Sequence, residues 1–281
     1  MHRRPFPLDL PGVEVVKGDL TTAEDCARAV AGMDMAIFAA AVVVGAAAHA
    51  KDPSLPVTTN LIMSARFLEA AAKARLERVL LLSSTTTYPA VDRQVREDEW
   101  DQPVAPVYQG VGNMKRYVET LASFYHDKFG LKIAIIRPVP CYGPWDNFDP
   151  MTSHVIPALI RKAVEGQDPL EVWGTGKDVR DFVYASDVAR AGLLVLERQP
   201  LCDAFNVASG RAVSTGDLAG VILKLAGRPG AHIVFNTAMP SAIPVRIVDS
   251  SKIERVLGFR SRVPLEEGLA ATIEWFRKSV T

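Results

Sequence analysis

The sequence predicts an α/β protein built on a doubly wound parallel sheet, and three observations carry that reading. Short apolar runs at residues 35–41, 78–84 and 132–137 have the composition of buried strands. Residues 57–74 and 113–128 place apolar side chains at helical spacing between them. Strands alternating with helices of this length need a sheet covered on both faces.

Taken in order, residues 13–17 alternate apolar and polar side chains and stop at Gly18, Asp19 and Leu20, which predicts a strand running into a loop. Thr21 and Thr22 before Ala23 and Glu24 form a helix-start signal, and the helix continues to Val30. The strand at 35–41 follows, then the helix at 57–74 with Leu61, Ala65, Leu68 and Ala72 on one face. The next pair is the strand at 78–84 and the helix at 113–128, closed by the strand at 132–137. Beyond Pro138, prolines at 144, 150, 157 and 169 cut the chain into shorter pieces, with short strands at 170–173 and 181–184. This change of rhythm predicts a main domain over residues 1–140. Residues 141–281 are expected to form a smaller lobe, some of whose segments return to the sheet.

Composition excludes several function classes. With 32 basic against 32 acidic residues among 281, no broad field recruits nucleic acid or an anionic membrane. A small ligand or a neutral partner surface is the expected partner. Cys26, Cys141 and Cys202 are too scattered for a disulfide framework or a zinc site, which suits a reducing, cytoplasmic setting. The apolar run at 35–48 is too short and too rich in alanine to span a bilayer, and no apolar stretch follows the charges at His2, Arg3 and Arg4 as a signal peptide would need.

The most specific stretch runs from Tyr142 to Leu159, YGPWDNFDPMTSHVIPAL, and is followed from Val172 to Asp187 by VWGTGKDVRDFVYASD. FNVASG at 205–210, DSSK at 249–252 and LEEGL at 265–269 follow in order. Together these segments resemble the extended short-chain dehydrogenase/reductases of the NAD-dependent nucleotide-sugar epimerase/dehydratase family, in particular GDP-fucose synthases and UDP-sugar 4-epimerases. The resemblance implies a Rossmann-like domain, NAD or NADP as cofactor, a nucleotide-sugar substrate, and a homodimer formed through the helices at 57–74 and 113–128.

It also implies roles. Ser84, four residues before Tyr88 in LSSTTTYP, matches the family's catalytic hydroxyl, and Thr86 falls where GDP-fucose synthases carry a cysteine used in epimerisation. Lys115 matches the lysine that holds the cofactor ribose and tunes a tyrosine four residues earlier, but that position is Val111. Tyr108, seven residues before Lys115, is the one phenol that could substitute; Gly110 and Gly112 argue that the helix does not reach back to it. On the cofactor side the resemblance points to Asp19 and Leu20, to Ala39, Ala40 and Ala41 after Phe38, and to Asn60. On the sugar side it points to His154 as an acid and to Trp173 and Arg180 as contacts to base and diphosphate.

Two departures stand out. No glycine-rich phosphate turn precedes Val13, where the segment from His2 to Pro5 resembles the loop after the family's second strand. Pro140 replaces the usual Asn, and Met239 with Pro240 replaces a basic residue before proline. Each candidate also has an ordinary explanation. Ser84 suits a turn, Lys115 a solvated helix face, His154 a helix start and Trp173 a core. Arg180 suits an ion pair with Asp178 or Asp181, and Asp19 a helix cap. Three functions are therefore expected to compete: an NAD(P)-dependent epimerase, dehydratase or reductase with impaired redox chemistry; a silent nucleotide-sugar or partner-binding relative; and a repurposed enzyme using His154 or Tyr108 without a cofactor. Without the usual central strands, residues 13–17 and 35–40 must pair directly, borrow a strand, or leave an open edge, with exchange in a dimer preferred.

Overall fold

A computed structural model of the chain describes residues 11–43, 52, 54–100, 102–199, 201–239 and 243–280. The segment from His2 to Pro5 and Pro240 lie outside the described residues. The main sheet has four parallel strands in the order β1 (Met35–Phe38), β2 (Arg78–Leu82), β3 (Lys132–Pro138) and β8 (Leu201–Val207). β2 and β3 are central, and their alternate side chains fill two different cores, which is why both read as unbroken apolar runs. On one face Val79, Leu81, Ile133 and Ile135 meet α1 (Ala23–Val30), α2 (Leu55–Lys73) and α3 (Gln109–Phe129). On the other, Leu80, Ala134 and Ile136 meet α5 (Ala185–Arg198) and α7 (Ser251–Leu257).

Local signals explain the helix ends. Thr22 caps α1 by accepting a hydrogen bond from the Asp25 amide, 3.2 Å away. α2 opens with Pro56 in its first turn, where a missing amide hydrogen costs nothing. α3 ends at Gly130 in the left-handed region.

Two expectations about this half are corrected. Residues 13–17 form no strand: Val13, Val15 and Val16 are exposed, and the backbone has no sheet partner among the described residues. Met35 and Ile37 of β1 are half-exposed, β2 is its one partner among the described residues, and the two segments do not pair directly. Second, α3 starts at Gln109, four residues earlier than the glycines suggested. Gly112 is there for packing, because a Cβ at this position would lie 2.3 Å from the Thr86 carbonyl oxygen and 2.4 Å from Val104 Cγ1. Close approach of helix to strand end outweighs the low helix propensity of glycine. Gly112→Ala is expected to destabilise the chain by about 1–3 kcal/mol in urea unfolding, the usual cost of overpacking. An unchanged midpoint would show that the contact can relax freely.

The remaining elements build the second lobe. β4 (Cys141–Tyr142) pairs with β7 (Val183–Tyr184), and β5 (Leu170–Trp173) with β10 (Ile233–Asn236). β6 (Val179–Asp181) lies between β9 (Ala212–Ser214) and β11 (Val245–Arg246). The single strand expected at 181–184 is thus two strands broken at Phe182. α4 (Val155–Val164), α6 (Thr215–Leu225) and α8 (Leu265–Val280) enclose a third core around Ile160, Leu170, Leu218 and Leu269.

Candidate functional site

The cleft lies where the carboxyl ends of β2 and β3 face β6 and β11. β2 runs into a 3-10 turn, Thr85–Thr87, which Ser84 caps by accepting the Thr86 amide at 3.1 Å. The α3 start presses on this turn at Gly112, so the strand end and the helix form one rigid corner. Lys115 donates from Nζ to the Leu82 carbonyl at 2.9 Å, and burial disfavours its charge while Glu119 favours it. The Thr86 hydroxyl is buried without a hydrogen-bond partner. Val111, one turn before Lys115, packs into the first core as a hydrocarbon.

The corner is braced from below. Glu119, one turn beyond Lys115, takes both Arg137 Nε at 3.0 Å and Nη2 at 2.7 Å, and also accepts from the Ser83 hydroxyl. Arg137 is stacked over Trp100 at 4.4 Å and bonds Tyr88 Oη and the Glu97 carbonyl.

On the adenosine side, Asn60 exchanges two hydrogen bonds with the backbone of Val42, at 2.7 and 2.9 Å, which pins the segment after β1 that contains Ala39, Ala40 and Ala41. Asp19 accepts from the Thr21 amide and hydroxyl, and these bonds lower its pKa. Its carboxylate thus shapes the turn before α1, and Leu20 packs into the first core. Among the described residues no glycine-rich turn joins a sheet strand directly to a helix. The described residues therefore do not include the amide cradle that a pyrophosphate needs.

The sugar side holds a cluster of charged groups. Parallel pairing sets Arg246 of β11 opposite Arg180 of β6. Arg180 is buried and bonds the Val179 and Pro244 carbonyls at 2.8 and 3.2 Å, with Asp178 at 3.4 Å. Burial lowers its pKa, and Arg246 adds to that effect. Asp181 is engaged elsewhere, accepting from Ser209 and Gly210, so Asp178 is the ion-pair partner. Arg246 donates to Thr85 Oγ1 at 2.8 Å and lies 4.7 Å over the Tyr108 ring. Among the described residues it pairs with no carboxylate, and its Nε is buried without a partner. Asp178 and Pro244, both bonded to Arg180, also line a cavity of about 590 Å³ together with Gly174, Thr175, Lys177, Thr237 and Met239.

His154 caps α4 without a side-chain bond to the helix. The residue is exposed. Partial desolvation lowers its pKa below 6.5, with Asp146 raising it and Arg246 lowering it again. The ring is therefore expected to be neutral at pH 7 and to titrate below 6.5 by NMR. Because the unfolded chain binds the proton more readily, His154 should cost stability as pH falls below 6.5. A midpoint above 6.5 would contradict this. Cys141 is an exposed free thiol whose pKa is raised, first by desolvation and then by Asp146.

The structure places Ser84, Thr86 and Lys115 at the end of β2, Arg246 joins that corner to Arg180 through Thr85 and the β6–β11 pairing, and His154 stands at the start of α4. Trp173 does not line the cavity: it shares the outer face of β5 with Glu171. Arg246 was missed by sequence reasoning, since a lone arginine in a short strand carries no signal until its register with Arg180 is known. The three cysteines are free thiols. Among the described residues there is no three-ligand metal cluster, and no helix is long and apolar enough to cross a membrane.

Comparison with known proteins agrees with this geometry. The model of the NAD dependent epimerase/dehydratase family matches residues 2–208. GDP-L-fucose synthase of Sinorhizobium fredii is 33% identical over 250 residues, 87% of this chain and 79% of that protein. A Streptomyces dTDP-4-dehydro-6-deoxy-D-allose reductase is 34% identical over 201 residues, 71% of this chain and 60% of the reductase. Among solved structures, UDP-glucose 4-epimerase of Thermotoga maritima with UDP-glucose superimposes with a TM-score of 0.83 at 26% identity, over 94% of this chain and 84% of that one.

Proposed function

Because the chain belongs to the NAD dependent epimerase/dehydratase family, we propose that its cleft binds a nucleoside diphosphate sugar and acts on the sugar next to Ser84, Thr86 and His154. The observation that carries this reading is the in-register pair Arg180 and Arg246 beside the 590 Å³ cavity. Asp178 offsets part of the Arg180 charge, and Arg246, which pairs with no carboxylate among the described residues, carries a positive charge that a bound anion can offset. A diphosphate supplies the anion, and planar guanidinium donors suit its oxygens. The cavity then takes the base, and the sugar extends toward the strand end of β2.

The relatives named above carry GDP, dTDP and UDP in their names, so family likeness leaves the base open. A nicotinamide nucleotide, when bound, supplies hydride transfer. Lys115 would hold its ribose and Ser84 the reacting oxygen, but Val111 has no proton to relay. This favours a second reading in which the chain holds its nucleotide sugar with little hydride chemistry, and NAD and NADP bind weakly. The half-exposed Ile62, Phe124 and Phe129 on α2 and α3 supply an apolar face for a homodimer. The free thiols accord with a reducing, cytoplasmic setting.

Calorimetry tests the reading directly. At least one of GDP, UDP and dTDP should bind about tenfold or more tightly than NAD or NADP, a difference of about 1.4 kcal/mol. Cofactor binding that is tighter than every nucleoside diphosphate would overturn it.

A further inference from the structure

We propose that Thr85 is a positioning residue whose hydroxyl holds the Arg246 guanidinium ready for a diphosphate, an inference that rests on the reading of this cleft as a nucleoside diphosphate sugar site.

The two arginines are held in different ways. Arg180 is fixed by the Val179 and Pro244 carbonyls and by Asp178, whose carboxylate offsets part of its charge. Arg246 donates from Nη2 to Thr85 Oγ1 at 2.8 Å, lies 4.7 Å over the Tyr108 ring, and keeps Nε buried without a partner. A hydroxyl is a neutral acceptor, so it fixes the guanidinium without cancelling the charge that attracts an anion. The guanidinium also carries more donors than this bond uses.

Thr85 is itself a fixed point. It is 3% exposed and opens the 3-10 turn Thr85–Thr87, its carbonyl accepting the Tyr88 amide at 3.3 Å. Ser84 Oγ accepts the Thr86 amide, and Gly112 lies against the Thr86 carbonyl, so the turn is held from both the strand and the helix. Thr85, Tyr108 and Arg246 share the lining of one crevice of about 10 Å³ with Tyr88 and Val248. That is room for about one water at most, so the contact is packed protein rather than a solvent channel.

An arginine that swings freely loses rotamer freedom when it closes on a ligand. One already anchored loses little, and the affinity gains by that difference. The bond joins residues 161 positions apart in sequence, which is why no local motif announces it.

Calorimetry with GDP, UDP and dTDP on the full chain tests this, in a double-mutant cycle of Thr85→Val with Arg246→Ala. Thr85→Val keeps the shape but not the acceptor, and should weaken binding about 3- to 10-fold, the factor for ordering one long side chain at binding instead of beforehand. Thr85→Ser keeps the hydroxyl and should retain most of the affinity that valine loses. In the Arg246→Ala background, Thr85→Val should change affinity by less than about twofold, because the residue acts through the arginine. A purely structural role would weaken binding equally in both backgrounds. If Thr85→Val lacks the circular dichroism of the parent, Thr85→Ala, which only removes atoms, takes its place in the cycle. Unchanged affinity without the hydroxyl, a serine variant as weak as the valine one, or equal losses in both backgrounds overturns this inference and leaves the binding reading intact. Failure of every nucleotide to bind the parent chain overturns both.

Discussion

Glu119→Ala is expected to destabilise the chain by about 3–5 kcal/mol, the cost of stranding a buried charge. Arg137 is 4% exposed and Glu119 5% exposed, and the pair is bidentate. Removing the carboxylate leaves the guanidinium with a phenol, a carbonyl and the Trp100 face, none of which carries a compensating negative charge. It also frees the Ser83 hydroxyl next to Ser84, so the strand end should loosen together with the core. Urea unfolding reads the first effect, and amide exchange at residues 83–88 reads the second. The double replacement Glu119→Leu with Arg137→Met should recover most of the stability, since an apolar pair of similar volume can replace a buried ion pair. A loss under 1 kcal/mol in Glu119→Ala would mean that water reaches Arg137.

The second large effect concerns ligand affinity. Arg180→Ala and Arg246→Ala should each weaken nucleoside diphosphate binding by about 10- to 100-fold, the range for losing charged hydrogen bonds worth about 1.5–3 kcal/mol. Arg246→Lys keeps the charge but not the two-pronged donor geometry, so it should fall between the parent and the alanine variant. Arg180 also holds the Val179 and Pro244 carbonyls, so its replacement should perturb the β6–β11 pairing, whereas Arg246 holds Thr85 Oγ1 and covers the Tyr108 ring, so its replacement should perturb that pairing less. Comparing unfolding midpoints separates the two. Unchanged affinity in Arg246→Ala would remove the diphosphate from this position.

Much of the fold was legible because its signals are local. The cap at Thr22, the apolar runs of β2 and β3 and the helical spacing of α2 each specify an element whatever surrounds it. Residues 13–17 were read as a strand because they alternate, but a strand needs a neighbouring backbone, and no local pattern reports whether one is present. The start of α3 was misplaced for the opposite reason, since Gly112 answers to Thr86 and Val104, residues distant in sequence.

The site divided in the same way. Ser84, Lys115, His154 and Arg180 stand out by motif resemblance, and the structure links Arg180 to the β2 strand end through Arg246, which bonds Thr85. Arg246 was not, because its meaning lies in a pairing with β6 that spans 66 positions of sequence between Arg180 and Arg246. Trp173 was read toward the ligand, but the alternation of β5 alone does not say which face meets the core. Leu170 and Val172 take the core, leaving Trp173 with Glu171.

The central claim is that a nucleoside diphosphate sugar lies across the in-register arginines, and a crystal structure of the chain with such a ligand at saturation tests it most directly. The account predicts diphosphate density between Arg180 and Arg246, the base in the cavity lined by Gly174, Thr175, Lys177, Asp178, Thr237, Met239 and Pro244, and the sugar facing the strand end of β2. Density for the same nucleotide beside Asp19 and Asn60 instead, or a cleft empty at saturating ligand, would contradict it.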